Sequence, residues 1–159
     1  MKKYLLLLLI AFSCLYSKAQ VNYGGSNNVK IDLSTENDST FLTLMLTSER
    51  LKMTDSPKLL LRLMDDGVIS LDGYMLGATS KSGGAVMIGY VAVAINYYIT
   101  EAKFPLSREQ AESLSKGVKK LRLNTSPKFH EMKWRKDKIG KKLYKKYKES
   151  SSNSFEDGF

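Results

Sequence analysis

Apolar and polar residues alternate with a period of two along most of the stretch from Val29 to Leu123, which predicts short strands that bury one face. Val29, Ile31 and Leu33 form one such set. Leu42, Leu44 and Leu46 form the next, with Phe41 and Met45 on the reverse side. Leu59, Leu61 and Leu63 then lead into Asp65-Asp66-Gly67, followed by Ile69 and Leu71. A two-residue loop at Asp66-Gly67 would split this apolar set between the two faces. A three-residue loop with Gly67 in the left-handed conformation keeps it together, pairing Leu63 with Ile69 and Leu61 with Leu71.

Asp72-Gly73 predicts a turn into a strand from Tyr74 to Thr79, and Lys81-Ser82-Gly83-Gly84 predicts another turn. Met87, Val91, Val93, Ile95, Tyr97 and Ile99 occupy odd positions in the apolar run Ala85 to Phe104, the pattern of a half-buried strand. That run is too long for one flat strand, so a bend or bulge is expected at Gly89 or Asn96. A short helix is expected over 107–116, with Ser107 capping, Gln110 reaching back and Gly117 ending it. Val118 to Leu123 returns to strand, with Leu121 and Leu123 inward and Lys120 and Arg122 outward, and Ser126-Pro127 breaks it. Ile139, Leu143 and Tyr147 repeat every four residues, predicting a C-terminal helix near 138–148.

The expected fold is mainly β with two helices: an antiparallel β-sandwich or half-open barrel of about seven strands, its open side covered by the C-terminal helix. A closed seven-stranded barrel with that helix as a plug, shaped like a pleckstrin-homology domain, is the alternative. Short consecutive hairpins argue against a parallel sheet. Residues 20–28 read as a flexible arm, 29–149 as a single β-rich domain and 150–159 as a disordered tail.

Residues 1–19 have the pattern of a secretory signal peptide: Lys2 and Lys3, an apolar run from Leu5 to Phe12, and Ser17-Lys18-Ala19 before a new N-terminus at Gln20. The run falls well short of the ~20 residues that cross a bilayer. Export to the periplasm or the cell exterior is therefore expected. Lipid anchoring through Cys14 is the lesser alternative, because Ala11-Phe12-Ser13 fits a lipidation site poorly. Cys14 is the only cysteine, so cleavage after Ala19 leaves no thiol for catalysis or metal binding.

Composition refines the picture through where the charge falls. Without Lys2, Lys3 and Lys18, the 25 Lys and Arg become 22 against 16 Asp and Glu, a net of +6. Lys116 to Lys148 holds 14 basic residues against Glu131 and Asp137, or +12, and the rest is acidic on balance. Lys133, Trp134, Arg135, Lys138, Lys141, Lys142, Lys145 and Lys146 are the candidate contacts to an anionic surface, whether membrane headgroups or an acidic polymer. The plainer reading is a helix that packs Ile139, Leu143 and Tyr147 inward and leaves its lysines in water. Export disfavours a nucleic-acid partner.

Catalytic signals are sparse. His130 is the only histidine, and no Gly-x-Ser-x-Gly elbow supplies a nucleophile. Asp65, Asp66 and Asp72 are the best paired carboxylates for a hydrolase, but they flank glycines at turns, where Asp is favoured for local backbone bonding. No catalytic, metal-binding or cofactor-binding residue is assigned.

Phe104-Pro105-Leu106-Ser107-Arg108-Glu109-Gln110, the helix end from Leu114 to Gly117, and Val118-Lys119-Lys120-Leu121-Arg122-Leu123 carry a resemblance. On these residues the chain resembles small secreted proteins of unknown function from Gram-negative gut bacteria. The resemblance implies export and a compact strand-rich domain, with no catalytic residues to carry over. The expected function is that of a non-catalytic binding or accessory domain meeting a protein or glycan partner in the envelope. A small envelope hydrolase using carboxylates and a peripheral membrane module are the alternatives.

Overall fold

A computed structural model describes residues 21–23, 27–37 and 39–156. The leader-like residues 1–19, Cys14 among them, and residues 24–26 of the expected arm lie outside them. The strands are β1 (Val21–Tyr23), β2 (Asn27–Glu36), β3 (Ser39–Ser48), β4 (Lys52–Met53), β5 (Lys58–Leu63), β6 (Val68–Asp72), β7 (Tyr74–Ile88), β8 (Val91–Leu106), β9 (Val118–Leu123), β10 (Thr125–Ser126) and β11 (His130–Lys133). Helix α1 (Arg108–Ser113) and a 3-10 turn (Leu114–Lys116) follow β8, and α2 (Gly140–Glu156) follows β11.

Every strand pair is antiparallel. One sheet has the order β1-β2-β3-β8-β7, a second has β11-β9-β5-β6, and β4 with β10 makes a two-stranded link. The strands do not close into a barrel, so the sandwich or half-open barrel is the architecture and the plugged closed barrel is not. Both large sheets keep open edges, and α2 supplies a third wall. Ile139, Leu143 and Tyr147 are buried in the common core, as their four-residue spacing requires.

The alternating sets are inside. Val29, Ile31, Leu33, Leu42, Leu44, Leu46, Leu59, Leu61, Leu121 and Leu123 are all essentially inaccessible. Ser107 caps α1 through a reciprocal box, its Oγ accepting from Gln110 N–H at 3.2 Å while its own N–H donates to Gln110 Oε1 at 2.9 Å. Gly117 ends the 3-10 turn at φ +79. The β5–β6 loop has the expected length but sits one residue earlier. Leu63 N–H donates to Gly67 O at 2.8 Å, so Met64, Asp65 and Asp66 form the loop. Leu61 consequently faces Ile69, and Leu59 faces Leu71. Asp66, at φ +71, takes the left-handed position expected of Gly67, while Asp65 Oδ1 accepts the Gly67 N–H at 3.1 Å. The register moves by two residues, which keeps every side chain on its expected face.

Gly73 lets the chain pass from β6 in one sheet to β7 in the other. A Cβ there would lie 2.5 Å from Phe104 Cδ1, so close approach to the core requires glycine. Three expectations change. Lys81-Ser82-Gly83-Gly84 is not a turn but the middle of β7, its irregularity absorbed as a register shift between Ser82 and Gly84, with Gly84 at φ +92. Part of the arm forms β1, which pairs with Val29–Ile31. The C-terminal helix starts at Gly140 and continues to Glu156, so most of the expected tail is helical.

Candidate functional site

The carboxylates suggested for hydrolysis are brought together only by pairs, and each is already engaged. Asp65 accepts from Lys116 at 2.8 Å, Asp66 pairs with Lys119, and Asp72 lies 3.2 Å from Lys58. The Lys116 ammonium, helped by the Gly67 N–H, holds the Asp65 carboxyl below its ordinary value, and Lys119 does the same to Asp66. Glu112 is lowered by Lys148, and Glu131 by Lys120 and then Arg122. A glycosidase acid needs the opposite shift. Among the described residues, no three His, Cys, Asp or Glu side chains are grouped as metal ligands.

Asp137 is the most constrained carboxylate, and the sequence reading passed over it. It accepts N–H groups from Val118 at 2.9 Å, Ile139 at 3.2 Å, Gly140 at 2.8 Å and Lys141 at 2.9 Å. Burial works to raise its carboxyl, but the four backbone donors outweigh it and the net direction is down. This side chain caps α2 and ties the helix start to β9. The packing is tight: a Cβ on Gly140 would lie 2.7 Å from the Gly117 Cα. The available signal was an Asp immediately before an apolar stripe of helical period.

The basic segment divides when folded. Lys133 ends β11 opposite Lys120 of β9, on the solvent side of the four-stranded sheet, while Trp134 packs partly buried against the core. Arg135, Lys138, Lys141 and Lys142 are exposed. Lys145 lies 3.7 Å from Glu149, Lys146 pairs with Asp32 of β2, and Lys148 bonds Glu112 at 2.8 Å. His130 is a structural residue. Its ring is buried, Nε2 has no hydrogen-bond partner among the described residues, and desolvation holds it neutral by lowering its pKa. An open depression of about 1100 Å³ lies between the β2–β3 turn, α1 and α2, with Thr35, Phe41, Arg108 and Glu112 on its walls.

The least expected feature is the outer half of the β7–β8 hairpin. The odd positions Met87, Val91 and Val93, which the sequence places on a half-buried strand, are exposed at 66%, 64% and 40%. Val86 and Ile88 are exposed with them, and Tyr90 at the turn is fully so. The residues of β8 that face the core are the even ones, Thr100, Ala102 and Phe104, so Val91 and Val93 lie on the opposite face, and the neighbouring strand also ends short of them. Ser48 Oγ accepts the N–H groups of Arg50 at 3.1 Å and Leu51 at 2.9 Å, turning the chain away at the end of β3. Pairing of β3 with β8 accordingly stops at Ser48↔Tyr98, whereas β7 and β8 stay paired out to Ile88↔Val91. Gly89, at φ +63, makes the two-residue turn. Beyond the Lys81–Tyr97 rung the pair is, among the described residues, a free two-stranded ribbon of roughly 20 Å at ~3.3 Å per residue.

Val86, Ile88, Val91, Val93 and Ile95 line one face of this ribbon, and Ala85, Met87, Ala92 and Ala94 the other. From Gly73 to Thr100 the sequence carries one charge, Lys81. The sequence signal was present. Between Ala85 and Ile95 the reverse face has no polar side chain, unlike the core strands, where Lys30, Asp32 and Arg62 mark the outside.

No protein-family model, curated protein sequence or solved structure matches the chain.

Proposed function

We propose that this is an exported, non-catalytic binding or accessory domain that works by docking, with the free β7–β8 ribbon as its docking element. The observation that carries this reading is the ribbon itself, an extended element apolar on both faces and standing clear of a core that is complete without it. Contiguous exposed apolar surface marks interaction sites, whereas scattered apolar residues are ordinary. The ion-paired, acid-shifted carboxylates support a non-catalytic role. The leader-like N-terminus supports export. Contact with an anionic surface through the basic segment is the weaker reading, because Lys146 and Lys148 already serve Asp32 and Glu112. No helix among the described residues is long and apolar enough to cross a membrane.

The test uses a trimmed variant in which Asn-Gly replaces Ser82–Asn96, joining the paired residues Lys81 and Tyr97 through a two-residue hairpin turn. Wild type and variant are sedimented alone and with an isolated envelope fraction. The expected result is an associated state that only the wild type shows. Indistinguishable behaviour of the two proteins in both mixtures would overturn the reading.

A further inference from the structure

We infer that the partner of the ribbon is a second copy of the same chain, joined edge to edge through Val91–Tyr97 of β8 about a two-fold axis at Ala94. The inference rests on the ribbon being the docking element and goes on to name what docks there. On one side β8 is paired with β7 from Val91 to Lys103, but on the other β3 reaches only to Tyr98. Val91–Tyr97 therefore presents a row of backbone donors and acceptors with no strand beside it among the described residues. This open edge is bounded by the Gly89–Tyr90 turn at one end and by the end of β3 at the other.

A two-fold axis at Ala94 uses this edge completely. Antiparallel pairing would set Val91 opposite Tyr97 of the second copy, Ala92 opposite Asn96, Val93 opposite Ile95, and Ala94 opposite its own equivalent. The turn of each copy then meets the end of β3 in the other, so neither β3 obstructs the pairing. The edge tolerates its own image, because no charge lies between Ser82 and Thr100 to repel its counterpart. It also lacks the devices that protect natural edges, having no proline, no lysine and no bulge on the β8 side between Val91 and Tyr97. Across the axis, Val91, Val93, Ile95 and Tyr97 of both copies join into one aliphatic and aromatic surface.

Lipid is the competing environment for an apolar ribbon, and the backbone decides against it. A two-stranded ribbon in hydrocarbon leaves the outward-pointing N–H and C=O groups of both edges without partners, which is why only helices and closed barrels span bilayers. A second copy supplies the missing hydrogen bonds along the β8 edge and apolar contact along the faces.

Sedimentation equilibrium of the processed protein should show a dimer that Val93→Lys weakens at least about tenfold, a shift of about 1.4 kcal/mol. Adding Ile95→Glu to Val93→Lys should restore it, because each new lysine then faces a glutamate of the other copy. Ala94→Cys should form a disulfide-linked dimer faster than Lys81→Cys under mild oxidation, since cleavage after Ala19 leaves the chain no other thiol. Circular dichroism confirms that each variant is folded. A monomer at every concentration, or a dimer indifferent to Val93→Lys, overturns the inference. So does ribbon-dependent binding of a monomer to phosphatidylcholine or phosphatidylglycerol vesicles. A monomer that still sediments with envelope in a ribbon-dependent way removes the second copy as partner and leaves the docking function standing.

Discussion

The inner and outer halves of β8 continue one face of a single strand and meet opposite fates. In the inner half, Thr100, Ala102, Phe104 and Leu106 face the second sheet and are buried. In the outer half, Ala92 and Ala94, which continue that same face, are exposed, and so are Val91 and Val93 on the opposite face. Alternation reports that a strand has an apolar face. It does not report that the chain owns the surface to cover that face. What separates the halves is the length of the neighbour: β3 pairs with β8 only as far as Ser48↔Tyr98.

Truncating one side chain in each half should give the widest contrast in stability. Phe104→Ala should cost roughly 3–5 kcal/mol by opening a cavity in a packed core. Val93→Ala, measured on the monomer, should change stability by less than about 0.5 kcal/mol. Denaturant titration reads both, and similar losses would erase the distinction. The wall that completes the inner half comes next. Leu143→Ala on α2 should cost roughly 2–5 kcal/mol if this helix seals the core, as its burial indicates.

Asp137→Ala should cost about 1–2 kcal/mol by uncapping α2 and releasing Val118. Because the folded state lowers the Asp137 pKa below 3.8, its contribution is whole above that value and fades as pH falls through the folded value. The gap between wild type and Asp137→Ala should therefore be wide at neutral pH and narrow in strong acid. The smallest effect expected is that of His130. Burial lowers its pKa from 6.5, so on acidification the unfolded chain takes up the proton first. Stability should be full above 6.5 and decline as pH drops below it towards the folded value, a slope that His130→Leu should remove. Melting temperatures between neutral pH and about pH 5 would show it.

Much of the inner molecule was legible because local rules and burial agree there. Leu42-x-Leu44-x-Leu46, the Ser107–Gln110 box, Gly117 and the Ile139–Leu143–Tyr147 stripe each specify one arrangement, and each is found. The β5–β6 loop shifted within the freedom that parity allows, since a two-residue slip leaves the faces unchanged. The apolar reverse face of the ribbon was legible, but its extent was not, for two reasons. Ser82-Gly83-Gly84 reads as a turn, yet β7 runs through it because Gly84 takes a positive φ and Gly83 lies beneath the Tyr97 ring, where a Cβ would approach to 2.3 Å. The endpoint of β3, which leaves the ribbon bare, depends on the Ser48 hydroxyl turning the following residues, a tertiary outcome that no periodicity records. The basic segment is divided by the change from strand to helix: Lys133 lies opposite Lys120 of β9, and Lys146 pairs with Asp32 of β2.

The most direct test of the claim that the ribbon stands outside the core is the melting temperature of the protein with Ser82–Asn96 replaced by Asn-Gly, measured under conditions where the wild type is monomeric. The account predicts a cooperative transition within a few degrees of wild type, with Phe104→Ala melting far lower in parallel. A collapse of the transition in the trimmed protein, matching that of Phe104→Ala, would show that the ribbon belongs to the core after all.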